Sequence, residues 1–403
     1  MITPLTRGKP VKIDVDPRSR SLFAHPFLAL GFRPFFLLGG AFAALWIPLW
    51  LVIYSGESAP PTAFGGMGWH AHEMVFGFGA AIVAGFLLTA VKNWTRRATP
   101  SGAPLAGLVV VWLLGRVAVL FGGLLPAAVV AVVDVAFLPL VALSIARPIV
   151  GARNMRNIVF PLLLLVMAGI NLMTHVGDPD TLARMHRLGV MLLVVMVVIM
   201  GGRVIPFFTR KGLDGIRVTS RRWLDWAALS TTVALVPLDL AGAQDAAAVM
   251  ALLAGATNLG RLVGWGGQAT LGKPILWVLH LGYLWLALGL LMIGAGNWIP
   301  ALAGGALHAL TVGALGTVIL GMITRVSLGH TARPLRVERA TAAGYGLITA
   351  AALARVVLPW LLPIEHYELT LRIAGTLWAL AFGIFTVVYY PVLTRPRADG
   401  AEG

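Results

Sequence analysis

Five histidines of this chain lie inside long apolar runs: His70, His72, His186, His280 and His308. An ionisable ring is costly in hydrocarbon unless it has a partner, so each is a candidate for chemistry. The plain alternative is a hydrogen bond bridging two helices, worth about 1 kcal/mol in model systems. Three of the five recur in matching contexts. His72, His186 and His308 are each followed, 23 residues on, by a threonine (Thr95, Thr209, Thr331) in a basic segment. Arg203 and Arg325 share an offset of 17, where the first copy has Thr89. The spacing of the histidines, 114 and 122 residues, suggests a threefold repeat that carries one imidazole per unit to a similar depth.

Imidazole suits both haem iron and copper. The metal candidates are therefore His72, His186, His280 and His308, with His70 as a further cofactor ligand. Two residues along a helix is about 200° of rotation, so His70 and His72 face opposite sides and serve different sites. Glu73, beside His72, could orient an imidazole or take a proton. Arg116, Arg184, Arg187, Arg355 and Arg372 lie where no charge rule for membrane orientation puts a cation. Arg116 and Arg187 are candidates to pair with an anionic cofactor group such as a haem propionate; the alternatives are snorkelling to the interface and, for Arg116, pairing with Asp134. His25 and His330 fall in basic segments and His175 and His366 in outer loops, and all four read as solvated or interfacial. Glycines at 77, 79, 313 and 316 allow close approach of helices or of a flat macrocycle.

The elements that position these groups follow from composition. Of 403 residues, 58% are hydrophobic and 12% charged, about half the charge of a soluble globule. The chain reads as an all-α polytopic membrane protein. A span needs about 20 apolar residues, and twelve are expected: 32–54, 70–91, 104–122, 125–146, 157–176, 182–204, 223–240, 246–264, 274–294, 299–323, 339–358 and 369–391. Odd-numbered loops carry Glu57, Asp178, Asp180, Asp239, Asp245, Glu365 and Glu368. Even-numbered loops and the tails carry Lys and Arg. By the positive-inside rule both termini are cytoplasmic, and the net charge of +15 reflects topology rather than nucleic-acid binding. The predicted organisation is a cytoplasmic segment 1–31, one transmembrane domain 32–391 and a cytoplasmic tail 392–403. Within the domain, pseudo-threefold four-helix units cover about 32–146, 157–264 and 274–391, with the histidines on spans 2, 6 and 10. His280, entering span 9 from the other side, is expected within one or two turns of the depth of His308. No cysteine is present, so a haem would be a non-covalent haem b, and copper would rest on His, Met or carboxylate. The polar first 20 residues predict no removable signal peptide.

Several strings resemble the NnrS family: Gly31-Phe32-Arg33-Pro34-Phe35-Phe36, Trp69-His70-Ala71-His72-Glu73-Met74, Gly201-Gly202-Arg203-Val204-Ile205-Pro206-Phe207-Phe208, His280-Leu281-Gly282-Tyr283, and His308-Ala309-Leu310-Thr311 through Gly329-His330-Thr331. The resemblance implies a haem- and copper-containing protein of the bacterial inner membrane, linked to nitric oxide metabolism and nitrosative-stress resistance, with nitric oxide or a related species as its small ligand. A haem-dependent oxidoreductase is one form this takes; the electron donor is not implied. The family's Gly-His-Thr-Gly-Arg string stands here as Gly329-His330-Thr331-Ala332-Arg333. The architecture is also similar to the catalytic subunit of haem–copper oxidases, yet span 7 lacks the histidine pair of that superfamily. The competing reading is a transporter or metal-handling permease with a histidine- and arginine-lined path and no redox cofactor; broken helices and an inverted repeat would mark it, whereas the repeat here is direct.

Overall fold

The computed structural model describes residues 25–401. Most of the predicted N-terminal segment, including Pro4, Pro10 and Pro17, and the last two residues lie outside the described residues. Twelve helices follow: α1 Phe32–Tyr54, α2 Gly65–Thr95, α3 Ala103–Leu120, α4 Ala127–Gly151, α5 Val159–Val176, α6 Pro179–Gly212, α7 Arg222–Leu240, α8 Gln244–Gly264, α9 Pro274–Ala295, α10 Pro300–His330, α11 Arg339–Leu361 and α12 Tyr367–Thr394. Their starts and stops have local causes. Proline occupies the first turn of α6, α9 and α10, where its missing N–H removes nothing. Asp178 caps α6 by accepting the Thr181 amide at 2.7 Å. α2 stops at Arg96, which turns left-handed at φ 56°.

Eleven of the twelve, all but α7, are long and apolar enough to cross a membrane, consistent with a polytopic membrane protein. α7 is the seventh predicted span, folded as a helix of 19 residues with Arg222, Asp225 and Asp239 near its ends. It packs along α8, where Asn258 Nδ2 donates to Thr232 Oγ1 at 3.3 Å. α4 breaks at Ala136; Pro139 cannot donate to the carbonyl of residue 135, four positions back.

Sequential helices pack side by side, and α1 returns to meet α12. The three histidine-bearing helices α2, α6 and α10 are largely buried, along with α9, and both α2 and α10 touch α6. The repeated threonines end them alike: Thr95, Thr209 and Thr331 are buried and donate to the carbonyls of Val91, Ile205 and Ser327.

α2 and α10 share a further feature. Directly after His72 and His308 each widens into a π-helical segment, Glu73–Gly79 and Ala309–Gly316; α6 has none. Such wide turns concentrate at functional sites. Glycine makes them packable: a Cβ on Gly77 would come within 2.8 Å of Glu73 Oε2, and one on Gly313 within 2.7 Å of the Trp285 ring. The Trp112 indole donates to the Gly77 carbonyl at 3.0 Å.

Candidate functional site

At the end of the bundle that carries the acidic loops, α1, α2, α6, α10, α11 and α12 enclose a chamber of about 490 Å³. That volume falls in the range of small-molecule and cofactor sites. His70, His186 and His308 line it, from three different helices, with Trp50, Phe78 and Trp378 among its apolar walls. His70 stacks on Trp50 with ring centroids 4.2 Å apart. His70 Nδ1, His186 Nε2 and His308 Nδ1 are buried and lack any hydrogen-bond partner. Arg187 and Arg355 complete the lining, and Arg355 also donates to the Tyr367 hydroxyl at 3.1 Å. Three imidazole rings that line one largely apolar space and each keep an unsatisfied nitrogen, with two guanidiniums at hand, are groups that a flat anionic macrocycle taking nitrogen ligands can use.

The other face of α2 carries a different site. His72 Nε2 lies 2.9 Å from Asn171 Oδ1 and 3.1 Å from Asp134 Oδ2. His175 Nε2 lies 2.9 Å from the same Asp134 oxygen. Asn171 Nδ2 donates to it as well, at 2.8 Å. Arg116 donates to Asp134 Oδ1 and, at 2.8 Å, to Glu73 Oε1, while His72 Nδ1 stands 3.4 Å from Glu73. Two buried carboxylates against one guanidinium leave one negative charge, which a proton on an imidazole or a bound cation neutralises. His72, Asp134 and His175 each offer one ligand atom, and these atoms lie within 4.8 Å of one another. Two imidazole nitrogens and a carboxylate oxygen form a donor set that copper or another late transition metal accepts.

The two sites are neighbours. The rings of His72 and His186 are 6.0 Å apart. Phe64 touches both sides, with its centroid 4.7 Å from His72, 4.9 Å from His175 and 6.4 Å from His186. Beyond the chamber, toward the basic end, α2, α6 and α10 enclose a smaller cavity of about 100 Å³ that no polar atom faces. Gly79, Leu193, Leu315 and Ile319 border both spaces.

The sequence-derived candidates thus divide. His70, His186, His308 and Arg187 meet in the chamber; His72, Glu73 and Arg116 meet in the ionic cluster. Arg116 is held by the two carboxylates and does not line the chamber, because buried anions at that point outbid any other partner. His280 joins neither group. It hydrogen-bonds Thr209 Oγ1 at 2.9 Å and packs on Gly267. Since its neighbour Gly282 packs on Val318, His280 sits roughly 15 Å along the bundle from His308 at 1.5 Å per residue. The expected common depth does not hold, because α9 and α10 pair as a hairpin about the turn between them, with Gly296 on Ala303, Gly289 on Leu310 and Gly282 on Val318, and His280 lies much farther from that turn than His308. Of the histidines read as solvated, His366 is exposed, but His175 has a side chain only 4% exposed. His175 and Asn171 are the residues that reading the sequence missed. Their spacing of one helical turn was the available signal, since residues four apart share a face.

Comparison with known proteins agrees with the strings quoted above. A family model described as NnrS protein matches residues 26–397. No curated protein matches the chain. With the match covering nearly all of its length, the chain belongs to the NnrS family.

Proposed function

We propose that this protein binds a haem b in the chamber and a copper ion at the neighbouring cluster, and handles nitric oxide or a related small ligand there, in the inner membrane of a bacterium. The observation that carries the reading is the set of three orphaned imidazole nitrogens, on His70, His186 and His308, around one cavity of about 490 Å³. A buried polar nitrogen without a partner is destabilising by about 1–3 kcal/mol, so three in one place point to a missing ligand. Ligands for the haem would come from His70, His186 and His308, and Arg187 and Arg355 would pair with its carboxylates. Copper would rest on His72, His175 and Asp134. When bound, the haem iron supplies a site that coordinates a diatomic ligand and exchanges an electron with it.

The chain's own groups have separable tasks in this reading. The apolar walls exclude water, and the smaller apolar cavity offers an uncharged diatomic molecule a path that ions do not share. Glu73 and Asp134, locked by Arg116, fix the ring of His72 and hold a proton or a cation beside the chamber. Stable turnover would make the protein a haem-dependent oxidoreductase; binding alone would make it a scavenger or sensor, and the residues serve each of these equally. The permease reading expects an inverted repeat of broken helices lining the path, whereas the histidine-bearing α2 and α10 widen but stay continuous, and the break described above lies in α4, which does not line the chamber.

The test is an absorption spectrum with metal analysis on the protein purified in detergent. A Soret band that nitric oxide shifts, with copper lost on His175→Ala and haem retained, is the expected result. A colourless preparation from haem-replete cells would overturn the proposal.

A further inference from the structure

At the opposite, basic end of the bundle, α6, α9 and α10 and the segment after α10 enclose a cavity of about 790 Å³. Four cationic side chains line it, Lys211, Lys273, Arg325 and Arg336, and among the described residues no carboxylate does. A surplus of cations is normal on one face of a membrane protein. Arg325 is not explained that way. It lies inside α10, only 7% exposed, with its guanidinium 3.9 Å over the Phe208 ring, and no hydrogen-bond acceptor or carboxylate among the described residues pairs with it. Other buried or tethered arginines nearby are paired: Arg261 with Asp225 at 2.9 Å and Arg397 with Asp399 at 2.7 Å. A desolvated guanidinium that opens into a space and lacks its own anion is set up to take one from outside. Lys211 stands with its ammonium 5.8 Å from the Phe207 ring, and Lys273 donates to the Gly212 carbonyl at 2.6 Å; both line the cavity and are exposed. Beside the cations the lining is apolar, with Leu276, Leu335 and Val337.

We infer that this cavity is a phosphate-binding site, built to hold a phosphate group against Arg325, Lys211 and Lys273. Basic pockets between membrane helices bind the headgroups of anionic lipids, and the apolar lining suits the start of an acyl chain; a soluble phosphate compound offers the same anion without the chain. The site is separate from the haem and copper sites proposed above and does not depend on them.

The experiment uses the full protein in phosphatidylcholine nanodiscs doped with phosphatidylglycerol, and counts retained lipid by native mass spectrometry. Wild type is expected to retain phosphatidylglycerol over phosphatidylcholine. Arg325→Gln should lose about fivefold in that preference and the double variant Lys211→Ala, Lys273→Ala about thirtyfold, given about 1 kcal/mol per cation near a membrane surface. The two lysines are exposed, so their variant keeps the fold and stands if Arg325→Gln does not fold. Arg153→Gln, in the basic loop after α4, should change nothing; an equal loss there would mean diffuse surface charge and overturn the site. Inorganic phosphate and a soluble phosphate monoester are then titrated into lipid-free protein in neutral detergent. Saturable binding that the variants lose, without lipid preference, assigns the site to a soluble phosphate. Retention that is equal in wild type and all variants, with no phosphate binding, overturns the inference.

Discussion

His70 and His72 are two residues apart on one helix, and they belong to opposite kinds of site. The ring of His70 faces an apolar chamber in which His186 and His308 likewise keep a nitrogen unpartnered. The ring of His72 is enclosed by Glu73, Asp134, Asn171 and Arg116, where both carboxylates pair with Arg116 and Asp134 is also held by Asn171, although His72 Nδ1, Glu73 Oε2 and Arg116 Nε make no hydrogen bond. The chamber brings together rings with no charged partner bonded to them, and the cluster brings together paired charges with one left to balance. A site of unpaired rings around an open space is completed by a ligand from outside, whereas a site of paired charges is completed by a single proton or cation.

The comparison breaks most severely if the chamber does not hold the cofactor. His186→Ala and His308→Ala are each expected to abolish Soret absorption in the purified protein, while His280→Ala leaves it intact; a full Soret band in both chamber variants would falsify the assignment. Next comes the cluster. Arg116→Gln removes the guanidinium that bridges two buried carboxylates, and breaking such a pair costs about 3–5 kcal/mol. Thermal unfolding in detergent should show that loss, with partial recovery in Arg116→Lys. A change below about 1 kcal/mol would mean that water reaches the carboxylates.

A smaller effect of opposite sign supplies a reference outside both sites. Ala332 stands where the family string has glycine, and its φ is 57°, in the left-handed region that costs a residue with a Cβ about 1–2 kcal/mol. Ala332→Gly should raise stability by about 1 kcal/mol, less the extra backbone entropy of glycine, and leave the absorption spectrum unchanged. If it destabilises, the strain lies elsewhere.

The smallest effect separates the two sites by pH. Asp178 caps α6, the helix that carries His186, and the Thr181 amide holds its carboxyl below the usual carboxylate range. A depressed carboxyl stabilises the fold above its unfolded pKa, and that contribution fades as pH falls through the folded value. Acidification through and below the carboxylate range should therefore loosen the start of α6, on the chamber side. Hydrogen exchange over α6 should show the acid step in wild type, and Asp178→Ala should be loose at every pH; a wild-type-like acid step in the variant rules the cap out.

The helices were legible because a membrane span announces itself by length and apolarity, and the alternating loop charges ordered them. α7 was the faintest, since charges near its ends and the run Ser230-Thr231-Thr232 dilute its hydropathy. Which histidines meet was only partly legible. Repeat position correctly grouped the helices α2, α6 and α10 in the interior, and rotation along α2 separated His70 from His72. Counting residues for depth failed for His280, because depth was counted from opposite ends of spans 9 and 10 and α10 runs on to His330, past its predicted end, whereas counting both from their shared turn separates the two histidines. His175 was hidden by its place near a helix end, where exposure is the usual expectation and only the partner helices bury it. The π-helical segments left no mark either: in stretches apolar on every side, a change in helical period alters no pattern of polar and apolar residues.

The small cavity between the chamber and the basic end has an electrical meaning. Its walls expose no polar atom, and both membrane carboxylates named here, Glu73 and Asp134, lie in the single cluster beside the chamber. Such a layer insulates. If the chamber turns over as proposed, the protons it consumes enter from the acidic face, and charge does not traverse the bilayer. Proteoliposomes supplied with reductant and nitric oxide should leave a potential-sensitive dye unmoved, and a dye response tied to catalysis would show that the insulating layer conducts.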